Sequence, residues 1–155
     1  MSVTKMLKGH QLFQSLSFED VDKISNFSGV KELQKDETVF ASGGVGSHFF
    51  VLLEGSVNLR LPAEAHEASL VVGRIEKGDL FGLAPLFGAG RHNTTARCAE
   101  PCKVLAIEAK PLLALLEESS LVGLHIMRTA AEAYFTRYVE TLRRVQKVIN
   151  EIATI

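Results

Sequence analysis

Cysteine, net charge and long apolar runs are all scarce in this chain, and each shortage closes off a class of protein. The 155 residues hold two cysteines, Cys98 and Cys102. Two are too few for the disulfide framework of a small secreted module. Their spacing is not Cys-x-x-Cys, and no further cysteine or close histidine completes a metal site. Two buried thiols in a reducing cytosol fit better than a redox pair. His10, His48, His66, His92 and His125 are scattered and form no ligand motif, so no metal is expected. A net charge of −1 with a pI near 6.5 supplies no global field for nucleic acid or an anionic membrane. Met1 to His10 lacks the apolar core of a signal peptide. No apolar run approaches the roughly 20 residues that a membrane-spanning helix needs. A cytoplasmic location without a membrane partner is therefore expected. Paired carboxylates and a Ser/His/Asp order are missing too, so no enzyme is expected; Asp79 reads more economically as part of a Gly-Asp turn.

What is present suits one globular domain of 1–155, with a hydrophobic content of 46% against 23% charged. Three stretches differ in period. Residues 1–28 read as short helices over 3–14 and 18–27, with Ser17 and Asp20 a modest capping signal. Residues 29–108 read as many short strands. Val30 to Gln34 and Thr38 to Ala41 flank a Lys35-Asp36-Glu37 turn. The glycine loop from Ser42 to Ser47 lacks the lysine of a nucleotide-triphosphate cradle. Phe49 to Leu53 is continuously apolar, as in a strand covered on both faces. Ser56 to Leu61 alternates, with Val57, Leu59 and Leu61 on one side. Pro62 to Ala68 reads as a hairpin tip, and Ser69 to Ile75 as the strand after it. Turns every eight to twelve residues, without long helical crossovers, point to a sandwich or roll. Residues 109–155 are helical, with Pro111 in the first turn of a short helix ending near Glu118 and Ser119 or Ser120 capping the next.

The stretch from Lys77 to Arg97, KGDLFGLAPLFGAGRHNTTAR, carries the chemistry. A turn leads into Phe81-Gly82-Leu83-Ala84, and later come Arg91, His92, Asn93, Thr94 and Thr95. Glycines, hydroxyls and a cation suit an anion cradle. They equally suit a surface loop joining two strands.

These residues resemble the cyclic nucleotide-binding domain of the catabolite-activator and protein-kinase-A regulatory families. Leu12-Phe13 with Leu16 to Asp20 is similar to the family's opening helices. Gly43 to Gly55 (GGVGSHFFVLLEG) is similar to its Gly-Asp…Tyr-Phe-Ile-Leu-x-Gly strand, with Gly44 where Asp is usual. Lys77-Gly-Asp-Leu-Phe-Gly is similar to the opening of its phosphate-binding cassette, and Thr95 to Ile107 to the strands that follow. The resemblance spans roughly residues 10–150. It implies a mainly β fold with flanking helices: a double-stranded β-helix, or jelly-roll-like β-roll, followed by a long C-terminal helix.

Two cassette positions depart from the pattern. Leu83 stands where the family has the glutamate that accepts from the ribose 2′-hydroxyl. His92 stands where it has the arginine that pairs with the cyclic phosphate. Losing an acceptor for a buried hydroxyl costs about 1–3 kcal/mol. Losing the partner of a buried charge costs about 2–5 kcal/mol. Arg91 does not replace the lost cation if the segment is extended, because its side chain then points opposite to that of His92. The expectation is a non-enzymatic regulatory sensor in which high-affinity binding of cyclic AMP or cyclic GMP is not assured. Its ligand, a cyclic nucleotide or other small anion, would lie against Phe81, Gly82, Leu83, Ala84, Arg91, His92, Asn93, Thr94 and Thr95. Tyr134, Arg137 and Tyr138 would close over it from the helix. The alternative is a ligand-free roll, its pocket filled by Leu86 and Phe87, serving as a dimerisation or protein-docking module.

Leu121 to Ile152 contains no proline and only Gly123, so one helix is expected, about 48 Å long. Leu124, Met127, Ala131, Tyr134, Tyr138, Val145 and Ile149 step by three and four, and Ile126, Ala130 and Ala133 widen the apolar surface. The roll is too small to cover the distal turns, so a homodimer through this helix is expected. The activator branch continues into a helix-turn-helix domain, whereas these residues stop at Ile155. DNA binding by this chain alone is not expected.

Overall fold

The computed structural model describes residues 2–62 and 69–154. Helices α1 (Val3–Gly9) and α2 (Phe18–Ser25) lead into eight strands: β1 (Ser28–Leu33), β2 (Thr38–Phe40), β3 (His48–Glu54), β4 (Val57–Arg60), β5 (Val71–Ile75), β6 (Leu80–Phe81), β7 (Thr95–Cys98) and β8 (Cys102–Glu108). Helices α3 (Ala109–Glu117) and α4 (Ser120–Ala153) follow. The strands form two four-stranded sheets, ordered β1-β8-β3-β6 and β2-β7-β4-β5, with antiparallel pairing throughout. This is the expected β-roll with flanking helices and a long last helix.

The continuous apolar run of β3 has a direct physical cause. Side chains alternate across a strand, and both faces of this one are buried. Phe49 and Val51 join Leu105 and Ile107 of β8 in a core capped by Leu7, Leu12, Phe13, Leu112 and Ile126 from the helices. Phe50 and Leu52 face the second sheet with Val104, Ala106, Val57, Leu59 and Ala96. Burying one such phenylalanine contributes about 1.5–3 kcal/mol before entropy is counted. The first sheet is thus a central layer between helices and the second sheet.

Several local expectations are corrected. The stretch over 3–14 is not one helix: His10 is extended, and its Nδ1 accepts from the N–H of Leu12 at 3.1 Å, starting a 3-10 turn over Gln11–Phe13. The helix over 18–27 stops at Ser25, and the Ser17 hydroxyl caps it by accepting from the Asp20 N–H at 3.1 Å. Strands β1 and β2 flank the expected turn but belong to different sheets, since Asp36 at φ 72° turns the chain between layers. Leu61 lies beyond β4 and is exposed. Ser69 and Leu70 precede β5. Of the expected hairpin tip, Ala63 to Ala68 lies outside the described residues. Ser119 occupies the N-cap of α4, but its hydroxyl makes no cap bond.

On α4 the buried positions are Ile126 and Ala130, flanked by partly covered Val122, Met127, Ala133, Arg137 and Thr141. Of the expected stripe, Met127 and Val145 are partly covered, whereas Leu124, Tyr134, Tyr138 and Ile149 are each about half exposed.

Candidate ligand-binding site

A cavity of about 750 Å³ lies between the cassette, the second sheet and α4. Its floor is aromatic. Phe40, Phe50 and Phe81 pack with ring centroids 5.4–6.1 Å apart. Gly82, at φ +67°, passes directly over them: an added Cβ would lie 2.9 Å from Phe40 Cε2 and 3.0 Å from Phe50 Cδ2. Glycine is needed here for both conformation and clearance. The chain then forms a 3-10 turn over Ala84–Phe87. Leu83 sits at its N-cap, 7% exposed, sharing a core cluster with Leu80 and Leu86 while still touching the cavity.

The return segment is held by the glycine loop. Gly43 N–H donates to the His92 carbonyl at 2.8 Å, His92 N–H to the Gly44 carbonyl at 3.0 Å, and Gly46 N–H to the Gly90 carbonyl at 3.0 Å. Gly44 N–H donates to Ala41 O at 2.9 Å. With these amides committed, the loop is a brace for the cassette and not an anion cradle of its own. Arg91 and His92 then diverge, as alternation requires. Arg91 is exposed, and its Nη1 donates to the Gly43 carbonyl at 2.6 Å. His92 is 6% exposed and stacks on Phe40 with centroids 4.0 Å apart. A Cβ on Gly46 would lie 3.3 Å from its Nε2, so the imidazole is packed between phenylalanine and backbone. Burial lowers its pKa below the usual histidine value, favouring the neutral ring.

The structure brings together Phe81, Gly82, Leu83, Ala84, Arg91, His92, Asn93, Thr94, Tyr134, Arg137 and Tyr138 around this cavity. Thr95 is not among the lining residues; its hydroxyl accepts from the Ser42 N–H at 3.0 Å and serves the backbone. Arg137 is at the cavity wall but its guanidinium is engaged. Nη1 donates to the Arg74 carbonyl at 2.8 Å and to Glu140 Oε2 at 2.9 Å, and Nη2 lies 3.7 Å from Asp79 Oδ2. Asp79 is the turn residue it was read as, accepting from the Glu76 N–H, and it also ties α4 to the start of the cassette.

Phe40, Leu59, Ala131, Phe135 and Thr141 also line the cavity and were not expected. Phe40 and Leu59 arrive from strands distant in sequence. Phe135 was hidden because the count stepped from Ala131 by three to Tyr134 and then by four to Tyr138, passing over it. Phe87 meets Tyr134 edge-on at 5.6 Å and is 41% exposed, at the rim and not inside. Cys98 and Cys102 lie elsewhere, both buried in the core between the sheets. Burial, then hydrogen bonding and proximity to Cys102, push the Cys98 thiol up to about 12. It is therefore a packing residue without nucleophilic character.

Residues 30–119 match the family model of the cyclic nucleotide-binding domain. Over 139 residues the chain is 32% identical to a cAMP-dependent protein kinase regulatory subunit of Mycosarcoma maydis, covering 86% of this chain and 26% of that protein. Over 118 residues it is 27% identical to a cyclic AMP receptor protein of Thermus thermophilus, covering 76% of this chain and 54% of that one. It thus spans about a quarter of one relative's length and about half of the other's. A solved cyclic nucleotide-binding domain from Methylobacillus flagellatus superposes with a TM-score of 0.74 at 15% identity, covering 94% of this chain and 81% of that one, a likeness of fold.

Proposed function

Since the chain belongs to the cyclic nucleotide-binding domain family, we propose that it is a non-catalytic regulatory sensor whose ligand occupies the cavity between the cassette and α4. The observation that carries this reading is the cavity itself, about 750 Å³, within the range of small-molecule sites. A roll that had lost its ligand would be expected to fill that space. Leu86 instead turns into the core at 2% exposure, and Phe87 stays at the rim.

The switching element of the proposal is α4. It is clipped to the roll by Arg137 and by the Thr141 hydroxyl, which donates to the Val72 carbonyl at 3.0 Å. A ligand touching Tyr134, Phe135 and Tyr138 has differential contacts with any state in which α4 moves, and such contacts are what a two-state response needs. The output we propose is a homodimer through α4. Its distal residues Leu142, Val145, Ile149 and Ile152, beyond the cavity, step by three and four, the seam of a coiled coil. From Gln146 to Thr154 every residue is exposed, so the roll does not cover this end.

The test is thermal melting and calorimetry of the whole chain with cyclic AMP, cyclic GMP and a panel of small neutral and anionic molecules. A ligand that raises the melting temperature and alters the sedimentation of the chain supports the sensor. A melting temperature unmoved by every compound, near pH 6 as well as pH 8, overturns it.

A further inference from the structure

Resting on the sensor reading, we infer that the cavity takes an uncharged aromatic molecule and not a cyclic phosphate. Three observations carry this. The first is the lining. Phe40, Phe81, Phe87, Tyr134, Phe135 and Tyr138 present aromatic surface from both walls. Aromatic faces suit flat apolar rings, which pack by offset or edge contact at low entropic cost.

The second is the placement of every cation near the space. Arg91 lines the cavity from an exposed position, where its Nη1 donates to the Gly43 carbonyl and no carboxylate pairs with it among the described residues. Arg137 is held by Glu140, Asp79 and the Arg74 carbonyl. His92 is stacked on Phe40 and packed near Gly46, and its burial disfavours the charged form. A cyclic phosphate seated against the aromatic floor would find Arg137 already paired with two carboxylates and His92 packed in its less readily charged state, leaving, among the described lining residues, the exposed Arg91 alone to meet it, which is costly in an apolar cavity.

The third is Leu83. It is not a neutral deletion of a polar group. Its side chain is part of the core that supports the 3-10 turn, so the position presents hydrocarbon to the ligand and has no acceptor for a ribose hydroxyl. The floor, the buried His92 and the cassette turn are therefore consistent with one another: each offers the cavity apolar or aromatic contact.

The experiment titrates the full chain with N-phenyl-1-naphthylamine, an uncharged fluorescent aromatic, and separately with cyclic AMP by calorimetry. The expected result is saturable fluorescence that millimolar cyclic AMP does not displace. Ala131→Trp, at an exposed helical position on the cavity wall, is expected to weaken the probe at least tenfold, which is about 1.4 kcal/mol. Lys31→Gln, exposed on β1 and outside both the cavity and the helix seam, is expected to leave it unchanged. Binding of cyclic AMP without binding of the probe overturns this inference and leaves the sensor reading standing. Probe binding insensitive to Ala131→Trp, or lost in Lys31→Gln, also overturns it, because the probe then lies outside the cavity. Binding of neither compound, together with no response to any member of the wider panel, overturns the sensor reading itself.

Discussion

The two walls of the cavity are built in opposite ways. On the cassette side nearly every group already has a structural partner. Phe81 is 3% exposed, Gly82 is threaded over two rings, His92 is stacked, and the Thr95 hydroxyl serves the Ser42 amide. On the helix side Tyr134, Phe135 and Tyr138 are 49%, 65% and 54% exposed. One wall is complete without a ligand, and the other is finished only by something that covers it. In the proposed sensor, the ligand would meet a packed wall on one side and, on the other, an exposed wall with apolar area to bury.

Substitutions on the two walls should separate accordingly, and the largest effect belongs to the cassette. Phe81→Ala removes a fully packed ring and is expected to cost about 3–5 kcal/mol in denaturant unfolding. A loss under 1 kcal/mol would mean that the floor is loosely built. Gly82→Ala is expected to cost about 1–3 kcal/mol through backbone strain, with the close approach to Phe40 adding to it. Thr95→Ala strands one amide and is expected to cost about 1 kcal/mol. It should not change ligand affinity, whereas a loss of affinity without a loss of stability would return Thr95 to the site. Phe135→Ala, on the exposed wall, is expected to move stability by no more than about 0.5 kcal/mol while weakening ligand binding; Leu142→Asp should reduce the sedimenting mass and spare the roll.

The smallest expected effect is one of pH. Burial lowers the pKa of His92, so the unfolded chain takes its proton first as the pH falls. Stability is unaffected well above the unfolded value of about 6.5. It declines as the pH drops below that value and levels off once the folded state is protonated too. His92→Gln should flatten this part of the curve. A wild-type stability that rises with acid would show the imidazole to be charged and paired in the fold.

The layered fold was legible in the sequence for a local reason. A strand covered on both faces must be apolar at every step, so Phe49 to Leu53 announced the central layer before any partner was known. The cassette was legible for the same kind of reason, because its turn, glycine and hydroxyls are contiguous. The site's other half was not. Phe40, Leu59 and Phe135 come from three distant segments, and no local pattern marks residues that meet only when two sheets and a helix close. Thr95 does not line the cavity, and its hydroxyl accepts from the Ser42 amide; a hydroxyl beside a glycine-rich turn looks the same in sequence whether it serves a ligand or a backbone amide.

By itself, then, the order of residues determined which segments become strands, where the long helix runs, and that leucine and histidine occupy the two charge-bearing positions of the cassette. Those properties follow from side-chain period, turn chemistry and covalent neighbours. Tertiary structure alone decided that Arg137 is already paired with two carboxylates, that the imidazole is buried and stacked on Phe40, and that α4 sets Tyr134, Phe135 and Tyr138 along the cavity. Burial, the pairing of charges and helix rotation depend on what lies across the fold, and no single stretch of chain contains that information.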